Sequence, residues 1–191
     1  MMRLLHRLGQ GLASRGRNLT YRMLGVDLRD YCWLRAVEIP RNWKDITLHG
    51  CALDRGVVLL CSGPPRPGKI EVGFGTYINR FTMIDAHERV RIGRDVMIGP
   101  HGYITDGNHG TAPGASIKSQ PMIARPVEIE DEAWIGANVT ILAGVRIGRG
   151  AVIGASSVVT RDIPADAVAF GSPATVHRTR QARTANPVRP D

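Results

Sequence analysis

Among the side chains of this 191-residue chain, the imidazole of His109 is the one best placed to move a proton, in the loop Thr105-Asp106-Gly107-Asn108-His109-Gly110. An imidazole with a pKa near about 6.5 can take a proton from a hydroxyl and return it to a leaving group. A positioned general base of this kind contributes about 100- to 10,000-fold to a rate. A loop histidine can equally do no more than bond a neighbouring carbonyl, and the loop residues alone leave both readings open. His87 sits in a short corner insertion and His101 inside a repeat, while His6, His49 and His177 belong to no motif, so these five read as structural or exposed.

The elements that must carry such a loop follow from a repeat. Ile129, Ile135, Ile141, Ile147, Ile153 and Val159 recur every six residues, each followed four positions later by a mostly small residue such as Ala133, Val139 or Ala151. The same step links Val72, Ile78 and Ile84, then resumes at Ile92, Ile98 and Ile104 after the insertion Ala86 to Arg89. At 3.6 residues per turn a helix would rotate these aliphatics off any one face, so short strands joined by bends are required. Three hexads make one triangular coil of about 18 residues, and coils stack at about 4.8 Å, giving a parallel β-helix with aliphatic ladders inside. Residues 105–126, with Gly107, Gly110, Pro113, Gly114 and Pro121, break the period and leave the wall as an excursion loop, a common place for function on a rigid scaffold.

Three outward positions stand out against this frame. Asn79 and Asp85 each follow a core isoleucine, in the slot glycine takes in other coils, and both residue types tolerate left-handed backbone, so corner-turning is their plain reading. Trp134 lies between inward Ala133 and Ile135, so alternation turns its indole outward, where it stacks beside the loop or on a neighbouring subunit.

Composition sets the remaining bounds. A 43% hydrophobic content with only 5% aromatics and 22 glycines suits a stacked solenoid of small and β-branched units. The net charge of +8 gathers at the two ends, in Arg3, Arg7, Arg15, Arg17 and Arg22 and again in Arg178, Arg180, Arg183 and Arg189. No aromatic stacking platform or nucleic-acid motif accompanies that charge, so no nucleic-acid partner is expected. Cys32, Cys51 and Cys61 are odd in number and lack paired zinc or redox spacing, which suits a reducing cytoplasm and no metal. Leucines among the arginines of residues 2–24 are compatible with a basic amphipathic helix, packed on the solenoid end or touching a membrane surface. The expected organisation is a basic, partly helical extension over 1–45, a β-helix over 46–175 and a tail over 176–191, poorly ordered after Arg180.

The run Val96-Met97-Ile98-Gly99-Pro100, followed by Tyr103-Ile104 and His109-Gly110, resembles the hexapeptide acetyltransferases of the maltose, galactoside and nodulation type. The likeness continues through Glu132-Ala133-Trp134-Ile135-Gly136-Ala137 and Val159-Thr160-Arg161-Asp162-Ile163-Pro164 to Gly171-Ser172-Pro173-Ala174, covering about residues 70–180. It implies a left-handed coil, a homotrimer with sites between subunits, and O-acetylation of a sugar hydroxyl from acetyl-coenzyme A (acetyl-CoA). Within it His109 matches the catalytic histidine, and Asn79, Asp85 and Trp134 fall at the acceptor side. Ala137, Ala155, Thr160, Arg161 and Arg178 match coenzyme A positions, while Thr175 stands where the family often carries an arginine. An antibiotic acetyltransferase shares the fold and a similar histidine; a zinc enzyme of the carbonic anhydrase kind would need three convergent histidines that the spacing does not supply. A non-catalytic scaffold with the same walls is the reading from outside enzymology.

Overall fold

The computed structural model describes residues 2–181, with side chains from residue 9 onward. It is a left-handed parallel β-helix whose coils present three walls, closed at its N-terminal end by one helix. The first wall stacks Asp27–Arg29, Ile46–His49, Ile70–Val72, Val90–Ile92, Val127–Ile129 and Arg146–Ile147. In the second are Trp33–Leu34, Ala52–Leu53, Tyr77–Ile78, Met97–Ile98, Trp134–Ile135, Val152–Ile153 and Ala167–Gly171. Val58–Cys61, Met83–Ala86, Tyr103–Thr105, Thr140–Ile141 and Val158–Val159 build the third.

Every coil is in register with the next: Ile98 lies between Ile78 and Ile135, and Ile141 between Ile104 and Val159. These ladders are buried throughout and form one continuous core. Corners use two devices. At the first, Asp95 (φ 53°), Glu132 (φ 61°) and Asp166 (φ 55°) extend a left-handed column begun by Asp30, and at the second Phe81, His101, Asn138 and Ser156 do the same. Each donates its N–H to a carbonyl of the coil before, as Asn138 does to Pro100 and Ser156 to Ala137. The glycines that follow the isoleucines serve a different end, because a Cβ on Gly99 or Gly136 would lie 2.6 Å from the backbone nitrogen of Ala137 or Ala155. Coil spacing leaves no room for a side chain there.

Two boundaries differ from expectation. Strand pairing begins at Asp27, inside the stretch assigned to the extension, because Leu28, Leu34, Val37 and Ile39 already occupy the interior ladder. The repeat is hidden there by Cys32, Arg35 and the turn around Asn42. At the other end, Ala174–Thr179 folds back antiparallel on Ala167–Gly171, so part of the tail is a strand; the expected disorder beyond it falls on residues 182–191, outside those described.

The helix α1 (Met2–Leu24) lies on the first coil. Ser14 accepts from the Leu34 N–H and donates to the Cys32 carbonyl, while Asn18 bonds both the N–H and the carbonyl of Cys32. Tyr21, Arg17 and Arg22 donate to the carbonyls of Val37, Leu34 and Leu28. An open strand edge would otherwise present those groups for pairing with another chain.

Candidate active site

The loop leaves the third wall after Thr105 and rejoins the first at Val127. Its base is pinned by Asp106, whose fully buried carboxylate accepts the backbone N–H groups of His87 and Glu88 at 2.7 Å each and that of Arg89 as well. The insertion 86–89, which interrupts the repeat, is thus the loop's anchor. Gly107 completes the fit, because a Cβ there would stand 2.4 Å from the His87 ring. Above this base Gly107–His109 pairs antiparallel with Met122–Ala124, so that His109 lies opposite Met122 and is exposed. The described residues give its imidazole no hydrogen-bond partner.

Asp85 stands on the third wall between Leu60 and Thr105, beside the foot of the loop. Its Oδ1 is buried without a hydrogen bond, and the His87 Nε2 is 3.9 Å away. Burial pushes its carboxyl above the ordinary range; His87 opposes that shift, and the Asp106 charge adds to it. Asp54 shows the alternative. Burial would raise it too, but the Arg55 N–H, the Arg80 side chain, the Tyr77 hydroxyl and the Arg35 charge together hold it below the usual carboxylate range. A carboxylate with three donors and an ion pair is structural, whereas one with a free buried oxygen is available to a ligand.

Neither Asn79 nor Asp85 turns a corner in left-handed backbone, as their residue types suggested; Phe81 does so two residues after Asn79. Asn79 Oδ1 instead accepts the Arg80 N–H at 2.8 Å. Trp134 is 51% exposed on the second wall, between Met97 and Val152, with no ring partner among the described residues. Ala137 and Ala155 stack at the second corner in successive coils. Thr160 shares the column of Asp85 through Thr105 and Leu142, three coil spacings or about 14 Å away. Arg161 and Arg178 are exposed and make no ion pair among the described residues, which suits two guanidinium groups meeting phosphate.

The proposed residues therefore fall into two groups. Asp85, Thr160 and Arg161 lie at one edge of the third wall, from which the loop carrying His109 departs; Asn79, Trp134, Ala137, Ala155 and Arg178 lie on the second wall or its corner. Sequence reasoning missed Asp106 and His87. The uncommon insertion 86–89 was the available signal, since only a long-range partner gives it a role. All three cysteines are buried free thiols, Cys61 pushed up to about 12 by burial, and none lies on either group.

Comparison with known proteins gives the family. The bacterial transferase hexapeptide family (six repeats) matches residues 126–161. Galactoside O-acetyltransferase of Lactococcus lactis is 41% identical over 110 residues, 57% of this chain and 52% of that protein. A putative lipopolysaccharide biosynthesis O-acetyl transferase of Escherichia coli is 39% identical over 107 residues, covering 52% and 55%. This chain thus spans about half the length of those curated relatives. A hexapeptide-repeat acetyltransferase of Vibrio cholerae, solved with acetyl-coenzyme A, superposes with a TM-score of 0.57 at 32% identity, over 66% of this chain and 72% of that one. With 32% identity to that acetyltransferase over 72% of its length, this chain belongs to the hexapeptide-repeat acetyltransferase family.

Proposed function

We propose that the protein is an acetyl-CoA-dependent O-acetyltransferase acting on a sugar hydroxyl, with His109 as general base. One observation carries the reading: an unpartnered, exposed imidazole on an anchored hairpin whose foot lies beside a carboxylate with a buried oxygen that lacks a donor. In this reaction the imidazole takes the proton of the acceptor hydroxyl as its oxygen bonds to the acetyl carbon. As the carbon–sulfur bond breaks, the proton passes to the thiolate, leaving an ester and free coenzyme A. Asp85 and Asn79 bind neighbouring hydroxyls of the acceptor. Ala137 and Ala155 leave room for the pantetheine arm at the second corner, Thr160 lies along its path, and Arg161 and Arg178 meet its phosphates.

The two residue groups lie on different walls of one subunit, so a compact site needs the loop edge of one copy against the second wall of another. Tyr77, Met97 and Trp134, all exposed on that wall, give such a contact an apolar surface. A homotrimer with three sites between subunits meets this need, and the names of two relatives, a galactoside O-acetyltransferase and a putative lipopolysaccharide biosynthesis O-acetyl transferase, support a sugar as acceptor. The working compartment we assign is the cytoplasm, where acetyl-CoA and reduced thiols coexist.

Thiol release from acetyl-CoA is the test, across galactosides, maltose and nucleotide sugars. Acceptor-dependent release that falls about 100- to 10,000-fold in His109→Ala, with coenzyme A binding and melting temperature kept, supports the assignment. Equal rates in the two proteins remove His109 from the chemistry.

A further inference from the structure

In α1 the usual burial pattern of a surface helix is inverted. Its protein-facing side carries Gly11, Ser14, Asn18 and Tyr21, three of them hydrogen-bonded to the first coil, while Leu12, Leu19 and Met23 are 69%, 62% and 73% exposed. The spacing of those three residues, seven and then four, places them on one stripe of the helix. Capping the solenoid does not use this stripe, and leaving three large apolar side chains in water brings no stability. The stripe is therefore free for another contact.

Charge decides what that contact is. Over residues 2–24 the sequence holds five arginines, Arg3, Arg7, Arg15, Arg17 and Arg22, and no acidic residue. Arg15 and Arg22 are exposed. A second copy of the helix laid on the stripe would bring two such sets together without a counter-charge, whereas an anionic lipid surface supplies the counter-charge and accepts the leucines. The helix is about 35 Å long and, among the described residues, none is long and apolar enough to cross a membrane, so the contact is parallel to the surface.

We propose that the outward stripe of α1 is a docking surface for an anionic lipid bilayer, with Leu12, Leu19 and Met23 entering the headgroup boundary, exposed Arg15 meeting lipid phosphates and the net positive charge of the helix drawing it to the surface. Nothing in this depends on the acetyl-transfer reading. It would hold the site beside acceptors that are themselves anchored in the bilayer.

The experiment is co-sedimentation of the full chain with phosphatidylcholine vesicles, with and without phosphatidylglycerol, at low and high salt, together with its oligomeric state by light scattering. Binding is expected only to the vesicles containing phosphatidylglycerol, weakened by salt. In the triple variant Leu12→Gln, Leu19→Gln, Met23→Gln the affinity should fall at least about tenfold, with the oligomeric state and melting temperature kept. The lipid and salt arms use the unaltered chain, so they hold even if that variant does not fold. Failure of the unaltered chain to bind, or undiminished binding by a folded variant, overturns the proposal. A variant that instead loses the native oligomeric state also overturns it, by showing that a second copy covers the stripe.

Discussion

The first and second walls share one interior and present opposite exteriors. Inward, Leu48, Val72, Ile92 and Ile129 of the first wall match Leu53, Ile78, Ile98 and Ile135 of the second, all buried. Outward, the first wall reads Thr47, Glu71, Arg91, Glu128 and Arg146 across successive coils, while the second reads Ala52, Tyr77, Met97, Trp134 and Val152. Charges on the first wall neutralise one another within the chain: Arg91 meets Glu128 at 3.0 Å, Arg89 meets Glu71 at 3.4 Å, and Arg146 pairs with Glu130. On the second wall the Tyr77 hydroxyl donates to Asp54, but Met97, Trp134 and Val152 offer apolar surface with no charge to pair. A repeat constrains the inward residue of every hexad and leaves the outward one free, so the outward rows separate a wall whose charges pair within the chain from one that exposes apolar side chains.

If that contrast is right, the largest effect belongs to the second wall. Met97→Asp with Trp134→Asp should weaken self-association at least about 100-fold, because charges at a desolvated contact are costly, and acetyl transfer should fall with it. Light scattering against protein concentration measures the first, thiol release the second. A fully assembled double variant would put the second wall in the same class as the first.

Asp106 tests the loop foot in the same way. Asp106→Ala leaves three backbone N–H groups without their acceptor and should cost about 3–5 kcal/mol in urea unfolding. Transfer should fall through kcat while coenzyme A affinity holds, since the loop holding His109 loses its footing. His87→Ala removes a ring but keeps all three N–H donors and their acceptor, and should be milder on stability.

For Asp85 the expectation is a gain. Its carboxyl is raised in the folded chain, so the folded state holds the proton more tightly than the unfolded one; the associated stability is complete at acid pH and is lost as pH climbs through the raised value. Asp85→Asn should therefore be more stable than the native chain at neutral pH, with the advantage shrinking toward acid pH, and should bind acceptor less well. Melting curves across pH check the sign, and a variant less stable at neutral pH would make Asp85 a structural carboxylate like Asp54.

The smallest effect is expected on the first wall. Arg91→Ala with Glu128→Ala removes an exposed ion pair and should change stability by less than about 1 kcal/mol, with assembly and transfer intact.

The local sequence determined the coil. A strict period of six in Ile129 through Val159 admits only short strands and bends, and the glycines after the isoleucines mark where coils approach too closely for a Cβ. Alternation alone turned Trp134 outward, and the broken period over 105–126 announced the loop with His109 on it. Three features were decided by tertiary structure, each because its partners are distant in the chain. Asp106 became an anchor only when the coil brought the N–H groups of His87, Glu88 and Arg89, 17 to 19 residues earlier, around its carboxylate. The first coil was invisible as a repeat because Cys32, Arg35 and the turn around Asn42 obscure its period, and only the fold brings Ser14 and Asn18 of α1 to its edge in place of another strand. Separation of the site residues onto two walls emerged only from stacking, since periodicity gives each residue's face, whereas the register between coils decides which faces share an edge.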